Sequence, residues 1–509
     1  MKTSSLRLLA ALLAALPSAA IAQAAPSTSV RGLWADAFGP GLKTPAQVSG
    51  LVEGARALNV NVIFAQAVRR ADCLCNRSSL PRATDADLAP GFDPLADLTA
   101  KAHAAGLKVI AWVTVTGAWN RLVPNSDPQH LTRAHGPGAA PAQDWLNHRA
   151  DGSSLLGDDL FLDPANLQAA EYMLRGVTSL VKNYPVDGVQ LDRIRSPDGG
   201  GWGYNPASLA RYRAETGAKA RPAPADPAFS AWKRQQVTNL VRRLYLEVKR
   251  IRPEAWVSAA TIVYGDGPAD LTAFQATRTQ AEVLQDWPTW LREGLLDLNV
   301  LMNYKTEGKG EQAQWYDRWN RFATALPVSP GTLLASGSAL YLNTPEASAA
   351  QASRALAAGL GWVGYAYRNP TLAAYRGQAD MVSALDALRV QLTGPDGALA
   401  EPVAFPDAPP LVSGLLGRVS GRPVPGGVPV EAYQQGALVA RTVSDGAGYY
   451  GFAHLPPGET ELRVAGQRWR ETVWAGRVVR VPDFLLRDVQ PSGRQPSGRG
   501  PVNGEAGLR

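Results

Sequence analysis

The feature that most restricts what this chain can become is a recurrence. Between Val30 and Leu392, short apolar runs with strand character alternate with amphipathic stretches of helical spacing, and the alternation occurs eight times. The runs are "VRGLWADAF", "VNVIFAQAV", "LKVIAWVTV", "VDGVQLD", "AWVSAATIV", "LDLNVLMNY", "GTLLASGSA" and "GWVGYAYR". Parallel strands need a crossover between them, and a crossover helix must bury its apolar stripe on the sheet, so this pattern predicts a parallel sheet covered by helices. Eight repeats fit a closed (β/α)₈ barrel better than an open, doubly wound sheet.

The connections are unequal. Links from helix to the next strand are short, as in "HAAGLKVI", "KNYPVDGV" and "LAAGLGWV". Those leaving Val68, Val115, Asp192 and Val263 are long and rich in Gly, Pro, Asn, Asp and Trp. In a barrel all the long ones gather at the carboxyl ends of the strands, the rim on which barrel enzymes build their sites. The stretch "YPVDGVQLDRIRSP" then has an asymmetric meaning. Asp187 starts its strand on the far rim as a turn former, and Asp192 ends it on the functional one.

Five segments follow from the rest of the chain. Residues 1–22 have a basic head, an apolar middle and small residues near Ala20 and Ala22, the pattern of a signal peptide, so the mature protein is expected to be exported and not integral to the membrane. Residues 28–392 form the barrel and the proline-rich 393–410 a linker. Residues 411–486 carry short strand signals divided by turn residues, "LLGRVSG", "VPVEAYQQ", "ALVARTVSD", "GYYGFAHL", "TELRVAG" and "RVVRVPDFLL", an all-β sandwich pattern, and 487–509, with a repeated "QPSGR", are expected to be disordered. A chain ending near Leu392 is expected to fold alone.

The two cysteines, Cys73 and Cys75, allow no disulfide framework beyond one short loop bridge, and five scattered histidines predict neither a metal site nor a cofactor. The net charge of +7 is spread along the chain, which argues against nucleic acid as a partner.

Several blocks resemble one family: "RGLWADAF", "GFDPLADLTAKAHAAGLKVIAWV", "FLDPANLQAAEYMLRGVTSLVKNYPVDGVQLDRIR", "QDWPTWLREGLLDLNVLMNY" and "GWVGYAYRNP" are similar, in order, to the glycosyl hydrolase-like family ten barrels. The resemblance implies a (β/α)₈ fold and glycosidase activity, and the family includes a periplasmic member acting on peptidoglycan glycan strands stripped of peptides. Two departures stand out: Ala111 occupies a position where members often carry His, and no glutamate closes the fifth strand. The segment "SDGAGYYGFAHLPPG" resembles a hairpin of carboxypeptidase-regulatory-like sandwiches; because the domain's residues are turn and strand formers without a chemical cluster, it is expected to stiffen the enzyme or dock it on the envelope.

Glycoside cleavage uses one carboxylic acid to protonate the leaving oxygen and a second group to stabilise or attack the oxocarbenium-like carbon. Asp192 is the first candidate, with Arg193 and Arg195 nearby to tune it or orient substrate. For the second group the sequence offers Asp36, Asp266, Asp286 and Glu307, with structural roles as alternatives: a barrel turn for Asp36, a helix cap for Asp286. An N-acetylated sugar could instead supply its own acetamido oxygen. Sugar faces stack on aromatics, for which the loops and strand ends provide Trp112, Trp119, Trp145, Trp202, Trp287, Trp290, Tyr304, Tyr365 and Tyr367. Gln66 with Arg69, and Asn303, are polar strand ends suited to hydroxyl, acetamido or lactyl-carboxylate groups. The predicted activity is hydrolysis of a bacterial cell-wall glycan. A glycosidase on another polysaccharide and a non-catalytic sugar-binding envelope protein are the alternatives.

Overall fold

The computed structural model describes residues 28–123, 127–421 and 426–486. The expected leader at 1–22 and tail at 487–509 lie outside the described residues. Eight parallel strands close into a barrel: β1 (Arg31–Ala35), β2 (Val62–Val68), β3 (Lys108–Thr114), β4 (Gly188–Asp192), β5 (Trp256–Ile262), β6 (Leu298–Met302), β7 (Leu333–Ala339) and β8 (Gly361–Tyr365). Each lies inside one of the eight apolar runs. Neighbours follow chain order, and β1 closes on β8 with Trp34 opposite Tyr365.

One principal helix follows each strand: α1 (Pro45–Ala57), α2 (Pro94–Ala104), α3 (Leu167–Asn183), α4 (Pro227–Ile251), α5 (Trp287–Arg292), α6 (Gln312–Ala325), α7 (Pro345–Ala357) and α8 (Met381–Thr393). Four start the same way. Thr44, Asp93, Asp226 and Thr344 each stand before a proline and accept the N–H three residues on, a cap that contributes about 1 kcal/mol per helix.

Strand alternation sorts the core into two layers. Trp34, Phe64, Ile110, Trp112, Trp256, Ala260, Val300 and Val363 fill the barrel. Leu33, Ile63, Val109, Leu191, Val257 and Leu301 face the helices in a second, larger cluster. At the start of β4 the packing leaves no room for a side chain, because a Cβ on Gly188 would lie 2.3 Å from the Trp256 carbonyl oxygen.

The long segments after β2, β3, β4 and β5 gather on the carboxyl rim as expected. The one after β3 contains a small antiparallel sheet of Gly117–Asn120, Leu155–Leu156 and Asp159–Phe161. The one after β2 carries a Cys73–Cys75 disulfide, both residues being buried. Asp187 lies on the opposite face, the floor, where its carboxylate accepts from the Val109 N–H (2.8 Å) and meets His103 Nε2 at 2.7 Å.

The stretch expected as a linker is a strap across that floor. Asn59 donates to the carbonyls of Leu399 and Ala400, Asn61 to that of Val403, and the Ser29 N–H to that of Ala404. Phe405 enters the inner cluster edge-on to Trp256, ring centroids 5.3 Å apart.

Beyond the strap two four-stranded sheets pack as an all-β unit. Gln467–Val473 is a strand the sequence reading omitted, since its charged residues sit on a sheet edge and supply no apolar run. It is formed by a tight turn with Ala465 and Gly466 both at positive φ. The final run "RVVRVPDFLL" is two strands, Val478–Arg480 and Phe484–Leu486, divided around Pro482. The unit leans on α4: Arg480 pairs with Glu247, and the Arg243 guanidinium lies 3.5 Å from the Tyr449 ring centroid. Among the described residues no helix is long and apolar enough to cross a membrane.

Candidate active site

The barrel mouth opens into a cleft of about 630 Å³. Strand alternation decides who reaches it. Gln66 on β2, Trp112 and Thr114 on β3 and Asp192 on β4 share the inward face, and Tyr304, two residues beyond Met302, keeps it. Tyr304 and Tyr365 stack at 5.2 Å, and Tyr365 meets the edges of Trp34 and Trp112, so the bottom of the cleft is aromatic.

Asp192 is 8% exposed within this surround. Its Oδ2 accepts from Trp112 Nε1 at 3.0 Å, and its Oδ1 accepts from the Arg193 N–H at 2.7 Å. The second bond needs a sharp corner at the strand end. Arg193 provides it at φ +48°, a left-handed conformation that a non-glycine residue adopts at a cost of order 1 kcal/mol. Thr116 Oγ1 donates to the Arg193 carbonyl at 2.5 Å and holds the corner. Arg195 Nη1 stands 3.9 Å from Asp192 Oδ1.

The other candidates divide. Gln66 lines the cleft, but its amide is committed, accepting from the Ala37 N–H and donating to Thr114 Oγ1. Arg69 lines it too, with its guanidinium already pairing with Asp85 and Asp72. Arg193 reaches across to Asp159, Nη1 to Oδ2 at 3.6 Å. Trp119 and Tyr365 also line the cleft.

The remaining candidates do not line the cleft. Asp36 is buried beside the cleft, paired with Arg368 Nε at 2.8 Å and accepting the Phe38 N–H, so it fixes the first barrel turn; burial pushes its carboxyl up, against the pull of Arg368. Glu307 is held by Arg354 behind the rim. Asp286 heads α5 without hydrogen-bonding its N–H groups, and Trp287 after it is fully buried against Phe274 and Phe322. Asn303 points outward by alternation and donates to the Tyr316 carbonyl at 2.9 Å. Tyr367, past the end of β8, belongs to the outer core. Asp266 is exposed near Arg318, and Trp145, Trp202 and Trp290 are buried away from the cleft.

The sequence reading missed Trp34, Phe38, Arg70, Asp159, Lys305 and Tyr341, all on the cleft wall. Trp34 was available, since it has the inward parity of β1. Lys305 follows Tyr304 directly; its ammonium donates to the Val263 carbonyl at 2.8 Å and burial pulls it down to about 8, against the opposing pull of Asp266. Asp159 sits in the inserted sheet, accepting from Asn120 Nδ2 at 2.8 Å. Among the described residues Asp159 and Asp192 are the carboxylates lining the cleft, against the five cations Arg69, Arg70, Arg193, Arg195 and Lys305.

The aromatic bottom of the cleft, two carboxylates and a cationic wall can bind a sugar face, move protons at a glycosidic oxygen and hold an anionic substituent. The family match agrees with that chemistry. Residues 29–352 match the family described as Glycosyl hydrolase-like 10. The chain is 29% identical over 212 residues to glycosyl hydrolase DigH of Escherichia coli K12, covering 41% of this chain and 45% of that protein. It is 24% identical over 220 residues to glycosyl hydrolase YngK of Bacillus subtilis, covering 41% of this chain and 38% of that one. The chain thus spans less than half the length of these curated relatives. Among solved structures, the glycoside hydrolase domain of PgaB (BpsB) from Bordetella bronchiseptica superposes with a TM-score of 0.49 at 16% identity, over 71% of this chain and 99% of that domain.

Proposed function

We propose, for a chain that belongs to the Glycosyl hydrolase-like 10 family, that it is an exported glycoside hydrolase acting on bacterial cell-wall glycan, and that its substrate is peptidoglycan strands freed of their stem peptides. The observation that carries the reading is Asp192, fixed by Trp112 Nε1 and the Arg193 N–H at the bottom of an aromatic cleft.

A bound sugar would lay its apolar face on the stacked tyrosines with its glycosidic oxygen near the carboxylates. Asp192 is assigned as the essential carboxylate. The second group is Asp159, which lines the same cleft, or the substrate's own acetamido oxygen. Export is supported by the pattern of residues 1–22, and the C-terminal sheets are read as the part that docks the enzyme on the envelope.

The test uses the full-length protein and purified peptide-free strands. Asp192→Asn should lower product formation by about 100-fold or more, the range over which positioned acid–base groups act. Equal product from variant and parent would reject Asp192. No turnover by the parent on a panel of glycans, with tight retention on cell-wall sacculi, would favour a binding protein instead.

A further inference from the structure

The five cations of the cleft wall are not equivalent. Arg69 is paired with Asp85 and Asp72, Arg193 faces Asp159, Arg195 lies beside Asp192, and Lys305 donates to a carbonyl. Arg70 differs from all four. Its guanidinium has no hydrogen-bond acceptor and no ion-pair partner among the described residues; Asp72, Asp85 and Asp159 act on it only at longer range. The side chain is half-buried nonetheless, and that burial, followed by the charge of Arg69, lowers its proton affinity.

Its surroundings hold it in place. The Arg70 carbonyl meets His130 Nε2 at 2.8 Å, and its N–H donates to Asp72 Oδ1 at 3.3 Å, so the peptide groups on both sides of the residue are anchored. The guanidinium carbon lies 5.0 Å from the Phe38 ring centroid and 6.0 Å from that of Trp119. Both rings line the cleft. A planar cation set over aromatic rings, with its N–H groups unused, is a preformed receptor for a planar anion, because a carboxylate can take two of those donors at once.

We propose that Arg70 is the specificity residue of this cleft, binding through its guanidinium the carboxylate of an acidic sugar while Phe38 and Trp119 pack against the ring that bears it. The proposal rests on the glycan-cleft reading above and adds to it the chemistry one subsite selects. Such a carboxylate occurs on the lactyl ether of an amino sugar and on the ring of a uronic acid.

The experiment measures binding on full-length Asp192→Asn protein, to stop turnover, with Arg70 intact or changed to Gln or Lys. Three probes separate the sources: peptide-free peptidoglycan strands, the same strands with their lactyl carboxylates converted to methylamides, and hyaluronan oligosaccharides, whose carboxylate is on the ring. With Arg70 intact, unmodified strands should bind about tenfold tighter than amidated ones, the scale of one charge-assisted pair at a partly open site. Arg70→Gln should erase that difference and leave amidated strands within about twofold, while Arg70→Lys should recover part of it. Arg70-dependent binding of hyaluronan alone would keep the carboxylate and assign it to a uronate. Equal affinity for charged and amidated strands, or equal weakening of both by Arg70→Gln at an unchanged melting midpoint, would overturn the proposal. Turnover is scored separately on protein with Asp192 intact: Arg70-dependent binding without turnover would defeat the glycosidase reading and leave this site standing, and turnover indifferent to Arg70 would do the reverse.

Discussion

Phe405 offers the sharpest test of how the barrel is closed. It lies in the strap beyond α8, is 5% exposed, and packs edge-on to Trp256 among Val30, Val62, Ile110 and Leu298. Truncating a buried Phe to Ala removes its transfer free energy and leaves a void, typically about 3–5 kcal/mol. Here the void would be at the floor, where water and the strap can partly refill it, so the lower end applies: about 3 kcal/mol, roughly a hundredfold in the folding equilibrium. With a urea slope of about 3 kcal/mol/M for a domain this large, the midpoint of Phe405→Ala should fall by about 1 M without a change in slope. Phe405→Leu should lose less than half as much. Turnover measured well below the transition should not change, because the cleft is at the other end of the barrel. A midpoint shift under about 0.2 M would show that the strap is an ornament on a barrel already sealed. The same reasoning revises where the self-sufficient unit ends. A chain stopped at Leu392 would lack every strap contact and should melt earlier than one stopped at Pro410.

Asp159→Asn should lower turnover of peptide-free strands by about 100-fold, whereas Asp158→Asn, whose side chain pairs with Arg121 instead, should not; a loss within threefold at Asp159 would leave the acetamido route as the second group. Lys305 gives a pH dependence with a defined sign. Its folded-state value, pulled down to about 8, lies below that of an unfolded lysine, so between the two the unfolded chain holds the extra proton and stability rises with pH, while the cleft loses a positive charge. Binding of anionic strands should therefore weaken as pH rises from 7 to 9, and Lys305→Met should flatten that profile; parallel slopes would refute it. Gly188→Ala drives a Cβ into the Trp256 carbonyl and should cost about 3 kcal/mol, read as a lower melting midpoint or lost soluble protein.

The barrel was legible because burial on both faces leaves continuous apolar runs, and each of the eight strands lies inside one. Asp192 was legible because a strand end fixes both its height and, through alternation, its direction. Asn303 shows the limit of using height alone: it shares the rim with Tyr304, but the period of two turns one outward and the other into the cleft. Beyond the strand ends the signal fades. Tyr367 and Glu307 sit a few residues past their strands, where backbone turns had already redirected them, and Asp159 reaches the cleft only through a small sheet formed by segments about 40 residues apart. The edge strand Gln467–Val473 was invisible for the opposite reason, since pairing rather than burial makes it a strand.

Thr28 bridges to Ala404 beside the strap, on the face opposite the cleft. The amino end of the barrel therefore lies on its underside. Anything that grips the protein there, a bead in an assay or a surface in a cell, would hold it mouth outward, with the cleft free to meet long polymers from solution, whereas a grip on the flank beside α4 would lay the same opening sideways.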